Sequence, residues 1–154
     1  MSAVAFKEML LEYNRRVLAA AETGGAEAGS LLLREAITQA PGVPLDEGTL
    51  RGSGSVHVNG KFVQASENVG GEPTPYTRTM QAPRPDKVVV TVGFNTAYAA
   101  VMHEGGWETG PLAGKKIEHY KTAGTGAKFL ERPQSDNRDQ YMQVIADRIR
   151  EAKG

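Results

Sequence analysis

Between Thr91 and Pro133 the chain sets a β-branched run, a short amphipathic turn, a glycine-rich excursion and a second apolar anchor in immediate succession. The run is Thr91-Val92-Gly93-Phe94, the turn Ala97 to Glu104, the excursion Gly105 to Ala127, and the anchor Phe129-Leu130. Two apolar anchors that bracket twenty-odd polar, glycine-rich residues require a core to be entered twice, so the rest of the chain reads as scaffold for this stretch. Tyr76, Tyr98, Trp107 and Tyr120 lie in or beside it. That placement implies an excursion that folds onto the domain, meets a partner, or does both.

Upstream, Lys87 to Phe94 reads as a central strand, because Val88 to Val92 are β-branched throughout. Ser53 to Val58 and Lys61 to Ser66 alternate in polarity and flank Asn59-Gly60, the commonest two-residue hairpin turn. Residues 67–86 hold four prolines with little periodicity and are expected to form a long loop or arm. Ala97 to Glu104 is expected to be a short helix capped at Asn95 or Thr96 and stopped by Gly105-Gly106, with Tyr98, Val101 and Met102 toward the sheet. Residues 110–126 are expected to be mobile in the isolated chain.

Two longer helices frame these elements. From Ala3 to Gln39 apolar residues recur at helical spacing through Phe6, Leu10, Tyr13, Val17, Ala20 or Ala21, Ala28, and Leu31 or Leu32, with Lys7, Glu8, Glu12, Arg15 and Arg16 opposite. Gly24, Gly25 and Gly29 are the weak point, since each glycine costs a helix about 1 kcal/mol relative to alanine. They imply either a kink or a close approach by a neighbouring backbone. Pro41 ends the helix. After Pro133 a final helix runs from Ser135 or Asp136 to Ala152, with Tyr141, Val144, Ile145 and Ile149 on one face. The expected class is α+β, with both long helices on one face of a small antiparallel sheet and long loops. With 154 residues, a single domain over 1–154 is expected.

Composition narrows the function classes. Eighteen basic residues balance eighteen acidic ones, so no global field favours nucleic acid or an acidic membrane. No cysteine is present to form a disulfide framework or thiolate metal site. No apolar run reaches the ~18 residues of a membrane span, and no signal peptide is visible, so synthesis and folding in cytosol are expected. At 40% hydrophobic and 6% aromatic, with 18 glycines and 8 prolines, a modest core under long loops is expected.

Candidate chemistry is thin. His103-Glu104 opens like a zinc-protease helix, but position 107 is Trp107 rather than the second histidine, and His57 and His119 are distant. A small metal-dependent hydrolase is therefore a minor alternative. Glu104 is expected to pair with an arginine such as Arg51. In residues 40–55, Asp46 is positioned to accept N–H groups at the start of a turn, Gly48 to supply positive φ, and Leu50 to point inward. Ser53 and Ser55 lack a nucleophile elbow. Lys115, Lys116, Lys121 and Lys128 could face phosphates or an acidic surface, or simply solvent. Trp107, flanked by Gly105, Gly106 and Gly110, has little local core to enter, and such aromatics commonly anchor interfaces.

The order of these features carries a resemblance. A long helix ending at Ala40-Pro41 leads into the turn Asp46...Gly48-Thr49-Leu50-Arg51-Gly52-Ser53, followed by a strand ending Val92-Gly93. Tyr98-Ala99...Glu104-Gly105 and Lys128-Phe129-Leu130...Pro133 then precede a terminal helix. Over about residues 5–150 this resembles the head-tail joining, or tail-completion (neck), proteins of long-tailed bacteriophages, often labelled minor capsid or minor tail proteins. In that family the turn usually reads Pro-Val-Asp-Thr-Gly-x-Leu-Arg. Here Gly42-Val43-Pro44-Leu45 is interposed, Glu47 stands where threonine is usual, and the link from Trp107 to Lys128 is longer.

The resemblance implies a non-enzymatic virion protein at the head-tail junction, assembled in host cytoplasm, with no cofactor and no catalytic residue. It would be a homo-oligomeric ring, hexameric or dodecameric, between connector or stopper proteins and the tail tube protein, with DNA passing through its lumen. Trp107, Tyr120, Lys115, Lys116 and Tyr76 are the expected interface residues, and a minor capsid or connector stopper protein is the nearest alternative.

Overall fold

The architecture is set by a 36-residue helix, α1 (Ala3–Thr38), about 54 Å long at 1.5 Å per residue. The Ser2 hydroxyl caps its start by accepting from the Ala5 N–H at 3.1 Å. The computed structural model describes residues 2–44, 49–66, 87–121 and 123–154. Along these the order is α1, α2 (Thr49–Gly52), β1 (Gly54–Val58), β2 (Lys61–Ala65), β3 (Val90–Phe94), α3 (Ala99–Glu104), α4 (Glu131–Asp136) and α5 (Arg138–Lys153). The expected arm at 67–86, with Tyr76, and the turn residues Asp46 and Gly48 lie outside the described residues.

The glycines of α1 do not break it. They are buried at the points of closest approach: a Cβ on Gly24 would lie 2.8 Å from the Ile145 Cα, and one on Gly29 would lie 2.6 Å from a Val56 methyl and 2.8 Å from one of Val90. The close-approach reading therefore holds, and the neighbours are α5 and the sheet of the same chain. Leu33 and Ala36 face the sheet side, while Ala28 and Leu32 meet Tyr141 of α5. Burial on two sides explains why one stripe of helical periodicity did not mark the core. Of the stripe expected from Phe6 to Val17, Phe6 at 50% and Leu10 at 43% are exposed, while Tyr13 and Val17 are half-buried. Helix α5 runs antiparallel to α1 through the Gly24–Ile145 and Glu35–Tyr141 contacts.

The three described strands form an antiparallel sheet in the order β2-β1-β3. The hairpin turn forms as expected, with Asn59 at φ 49° and Gly60 at φ 76°. Asn59 also ties the turn to its surroundings, donating to Glu22 and accepting from the Val89 N–H. Strand β3 was expected at the centre but lies at an edge of the described sheet, and β1 is central. Its β-branched run reflects one buried face, since Val90 and Val92 pack under α1 with Val56 and Val58 while Val89 and Thr91 are exposed. The fold is α+β, with α1 and α5 on one face of the sheet.

Two further expectations are corrected. Helix α3 begins at Ala99, two residues later than expected, with Tyr98 at its N-cap and no side-chain cap, and Tyr98 turns outward instead of toward the sheet. The terminal helix is interrupted at Asn137, so Pro133 sits in the first turn of the separate helix α4, where its missing N–H is tolerated. Residues 105–121 fold back on themselves, joined by Trp107 N–H to Lys115 C=O at 2.9 Å and Gly114 N–H to Trp107 C=O at 2.8 Å.

Candidate functional site

Gly105 ends α3 in the left-handed conformation, φ 75°, and sends its N–H to the Val101 carbonyl. The reversal directs the next residues back across the outer side of α3. Trp107, Ile117, His119, Tyr120 and Lys121 then meet Tyr98, Val101, Met102 and Pro44 around a cavity of about 350 Å³. Trp107 is thus half-buried against a small apolar cluster, not isolated as its flanking glycines suggested. The Tyr120 hydroxyl donates to the Met102 carbonyl at 2.8 Å, and burial pushes its pKa up. This pins the excursion to α3 and keeps the phenol neutral.

Lys115 and Lys116 are exposed and outside the cavity lining, in the strand-like segment that bridges Gly106. The structure therefore brings Trp107 and Tyr120 together in one pocket wall, with the two lysines beside it. Lys128, expected in the same cluster, is elsewhere. Its backbone is left-handed at φ 58°, its N–H binds the His103 carbonyl at 2.7 Å, and its ammonium bonds the Glu104 carboxylate and, at 3.0 Å, Glu131.

Glu104 therefore pairs with Lys128 and His103, not with Arg51. Arg51 instead donates to the Val43 carbonyl at 2.9 Å, while Leu50 points inward as expected, 2% exposed, onto Phe129. The reason is topological: Lys128 enters from the far end of the excursion, which sequence separation alone does not reveal. The Lys128 and His103 hydrogen bonds, in that order, hold the Glu104 carboxyl below the usual carboxylate range, and the Glu104 and Glu131 bonds raise Lys128.

His103, Glu104 and Glu131 present ligand-type atoms within 4.8 Å of one another, so a metal centre must be considered. The Lys128 ammonium already stands between the two carboxylates as their cation. His103 Nδ1 is spent on Glu104 at 2.8 Å, and its ring packs edge-on against Phe129 with centroids 4.9 Å apart. The geometry is that of a structural ion cluster tying α3 to the start of α4. His57 is remote from it, stacked edge-on against Phe62 on the outer sheet face.

Sequence reasoning missed the most exposed apolar surface among the described residues. Val4, Phe6, Met9, Leu10 and Leu11 crowd the first three turns of α1, each more than 40% exposed. Its signal was present as apolar periodicity, but periodicity does not say whether a partner lies within the chain. Compared with protein-family models, with curated proteins and with solved structures, the chain has no match in any of the three.

Proposed function

We propose that the chain is a structural virion protein that forms a ring at the head-tail interface of a long-tailed phage. The observation that carries the reading is the exposed apolar end of α1, which stands clear of a domain with small apolar clusters. Exposed apolar side chains gathered at one end of a helix mark an interaction site. Identical copies in a closed ring would cover it at every position without leaving an unmatched end. The half-buried Trp107 and Tyr120, in a cavity that Lys121 also lines, supply a second contact suited to a connector, stopper or tail tube protein. The order of the motifs from Ala40-Pro41 to Pro133 supports placing the ring at the neck. A balanced charge suits a lumen through which DNA slides without being held.

Sedimentation of the purified protein and labelling of intact particles test this reading. A six- or twelve-copy ring, with label at the head-tail joint, is expected. A single copy at every concentration together with label absent from the joint would overturn it. Label confined to the capsid would favour the minor capsid alternative, and label on the head side of a tail-less particle would favour a connector stopper.

A further inference from the structure

One apolar stripe of α1 outlasts the helix that covers it. Gly24, Ala28 and Glu35 face α5, where they meet Ile145 and Tyr141. Helix α5 ends at Lys153, about eight residues or roughly 12 Å past Ile145. The same length along α1 leads from Gly24 back to Arg16. Toward the N-terminus the stripe continues at helical spacing through Val17, Tyr13, Leu10, Phe6 and Ala3. Val17 and Tyr13 are half-buried, and every residue from Ser2 to Glu12 is exposed.

A second stripe, Val4, Leu11 and Leu18, lies about 120° round the helix from the first, at about 100° per residue. It is in line with Gly25 and Gly29, which face the valines of the sheet. The two stripes thus repeat the two-sided pattern of the rest of α1, one side made for a helix and the other for the sheet.

The helix-facing stripe is also self-complementary. Ala3, Phe6, Leu10 and Tyr13 are separated by three, four and three residues, an order that reads the same in both directions. Two copies laid antiparallel along it bring Ala3 of each against Tyr13 of the other, and Phe6 of each against Leu10 of the other. Small meets large at the ends, and a two-fold contact needs this reciprocity.

We infer that this stripe is the seam of a two-fold pair: the α1 of a second copy of the chain lies antiparallel along residues 3–13. Continuity identifies the occupant. Helix α5 is itself an antiparallel helix on this stripe, and a second α1 running in the same direction extends a helix-on-helix seam that the fold already makes. The second copy's α1 is helical before it arrives, since α5 and the sheet anchor its other half, so pairing adds burial without the cost of nucleating a helix. The inference rests on the reading of α1 as a contact between copies and not on the virion assignment. A ring that contains this contact is built of pairs.

Sedimentation equilibrium of the full chain tests it. The wild type is expected to pass from one copy to two, or to assemblies of even copy number, as concentration rises. Leu10→Glu should raise the concentration for half-association at least tenfold, and Leu11→Glu, at a 54% exposed position on the other stripe, less than twofold. The chain contains no cysteine, so Phe6→Cys and Leu10→Cys chains with tags of different size are mixed and oxidised. The disulfide between positions 6 and 10 should exceed each like-with-like product at least tenfold, and this pattern needs neither glutamate variant. A statistical mixture, or an excess of either like pair, overturns the proposal. So does a chain that stays single up to millimolar concentration, or a Leu11→Glu effect as large as that of Leu10→Glu. Pairs without a ring, and without label at the head-tail joint, sustain this inference and remove the virion reading. A labelled ring cross-linked only like with like does the reverse.

Discussion

Gly24 and Ile145 are in backbone contact: a Cβ on the glycine would stand 2.8 Å from the isoleucine Cα. The antiparallel packing of α1 on α5 depends on that missing atom. Around it, the Arg148 guanidinium donates to both Glu27 oxygens, Nε at 3.1 and 3.0 Å and Nη2 to Oε1 at 2.7 Å.

Gly24→Ala should therefore destabilise the fold even though alanine is the better helix former. Overpacking against a backbone costs about 1–3 kcal/mol, against about 1 kcal/mol of gained propensity, for a net loss of up to about 2 kcal/mol. Gly52→Ala is the control, because nothing lies within 4 Å of its Cβ position and its backbone is not left-handed. It should gain up to about 1 kcal/mol. Urea midpoints of the two variants, moving in opposite directions, check the pair.

The Tyr141 hydroxyl donates to the Glu35 carboxyl group, which also accepts from Asn137 Nδ2 at 3.1 Å. Burial first, and the Glu35 bond second, hold the Tyr141 phenol far above the ordinary tyrosine range. A raised folded-state pKa contributes stability that is complete below the unfolded value and is lost as pH rises toward the folded one. Tyr141→Phe should cost about 1–2 kcal/mol at pH 8 by leaving Glu35 short of a donor. The gap should narrow above about pH 10. Urea unfolding at pH 8 and pH 11 measures both, and a constant gap would rule out the titration.

The sign reverses at Glu104. Its carboxyl is held low by Lys128 and then His103, so its contribution is present above the usual carboxylate value and disappears as pH falls. Lys128, raised by the same contact, loses its share only in alkali. Glu104→Gln should melt below the wild type at pH 7 and converge with it below about pH 4. Added salt should shrink the difference, since the pair is partly exposed. Melting temperatures from pH 3 to 7 provide the test.

Phe6 and Leu10 lie on the unpartnered part of α1 at 50% and 43% exposure. Phe6→Glu and Leu10→Glu should change monomer stability by no more than about 0.5 kcal/mol, as is usual for surface positions. In the proposed ring they should raise the concentration needed for assembly at least tenfold, read by sedimentation. Trp107→Ala should leave the ring intact and weaken attachment to the neighbouring virion protein. Unchanged ring assembly in the two α1 variants would remove α1 from the interface, and unchanged attachment of Trp107→Ala rings would remove the Trp107 pocket.

Local chemistry was legible wherever a few adjacent residues decide the backbone. Asn59-Gly60 dictates its hairpin because both residues tolerate positive φ, and Gly105 stops α3 for the same reason. β-branching marked β3, and Phe129 announced the return to the core. The candidate site was half legible. Trp107 and Tyr120 could be picked out as unusual, but their shared cavity with Tyr98 and Met102 depends on how the excursion folds over α3.

What the residues determined unaided, then, is the set of elements, their order and their turns, since each follows from dihedral preference and periodicity within a short window. Tertiary structure alone decided that β3 is an edge, that Glu104 finds Lys128 instead of Arg51, and that the glycines of α1 are contacts instead of breaks. Those outcomes depend on which distant surfaces meet, and neither propensity nor spacing along the chain encodes a meeting between Gly24 and Ile145 or between Glu104 and Lys128.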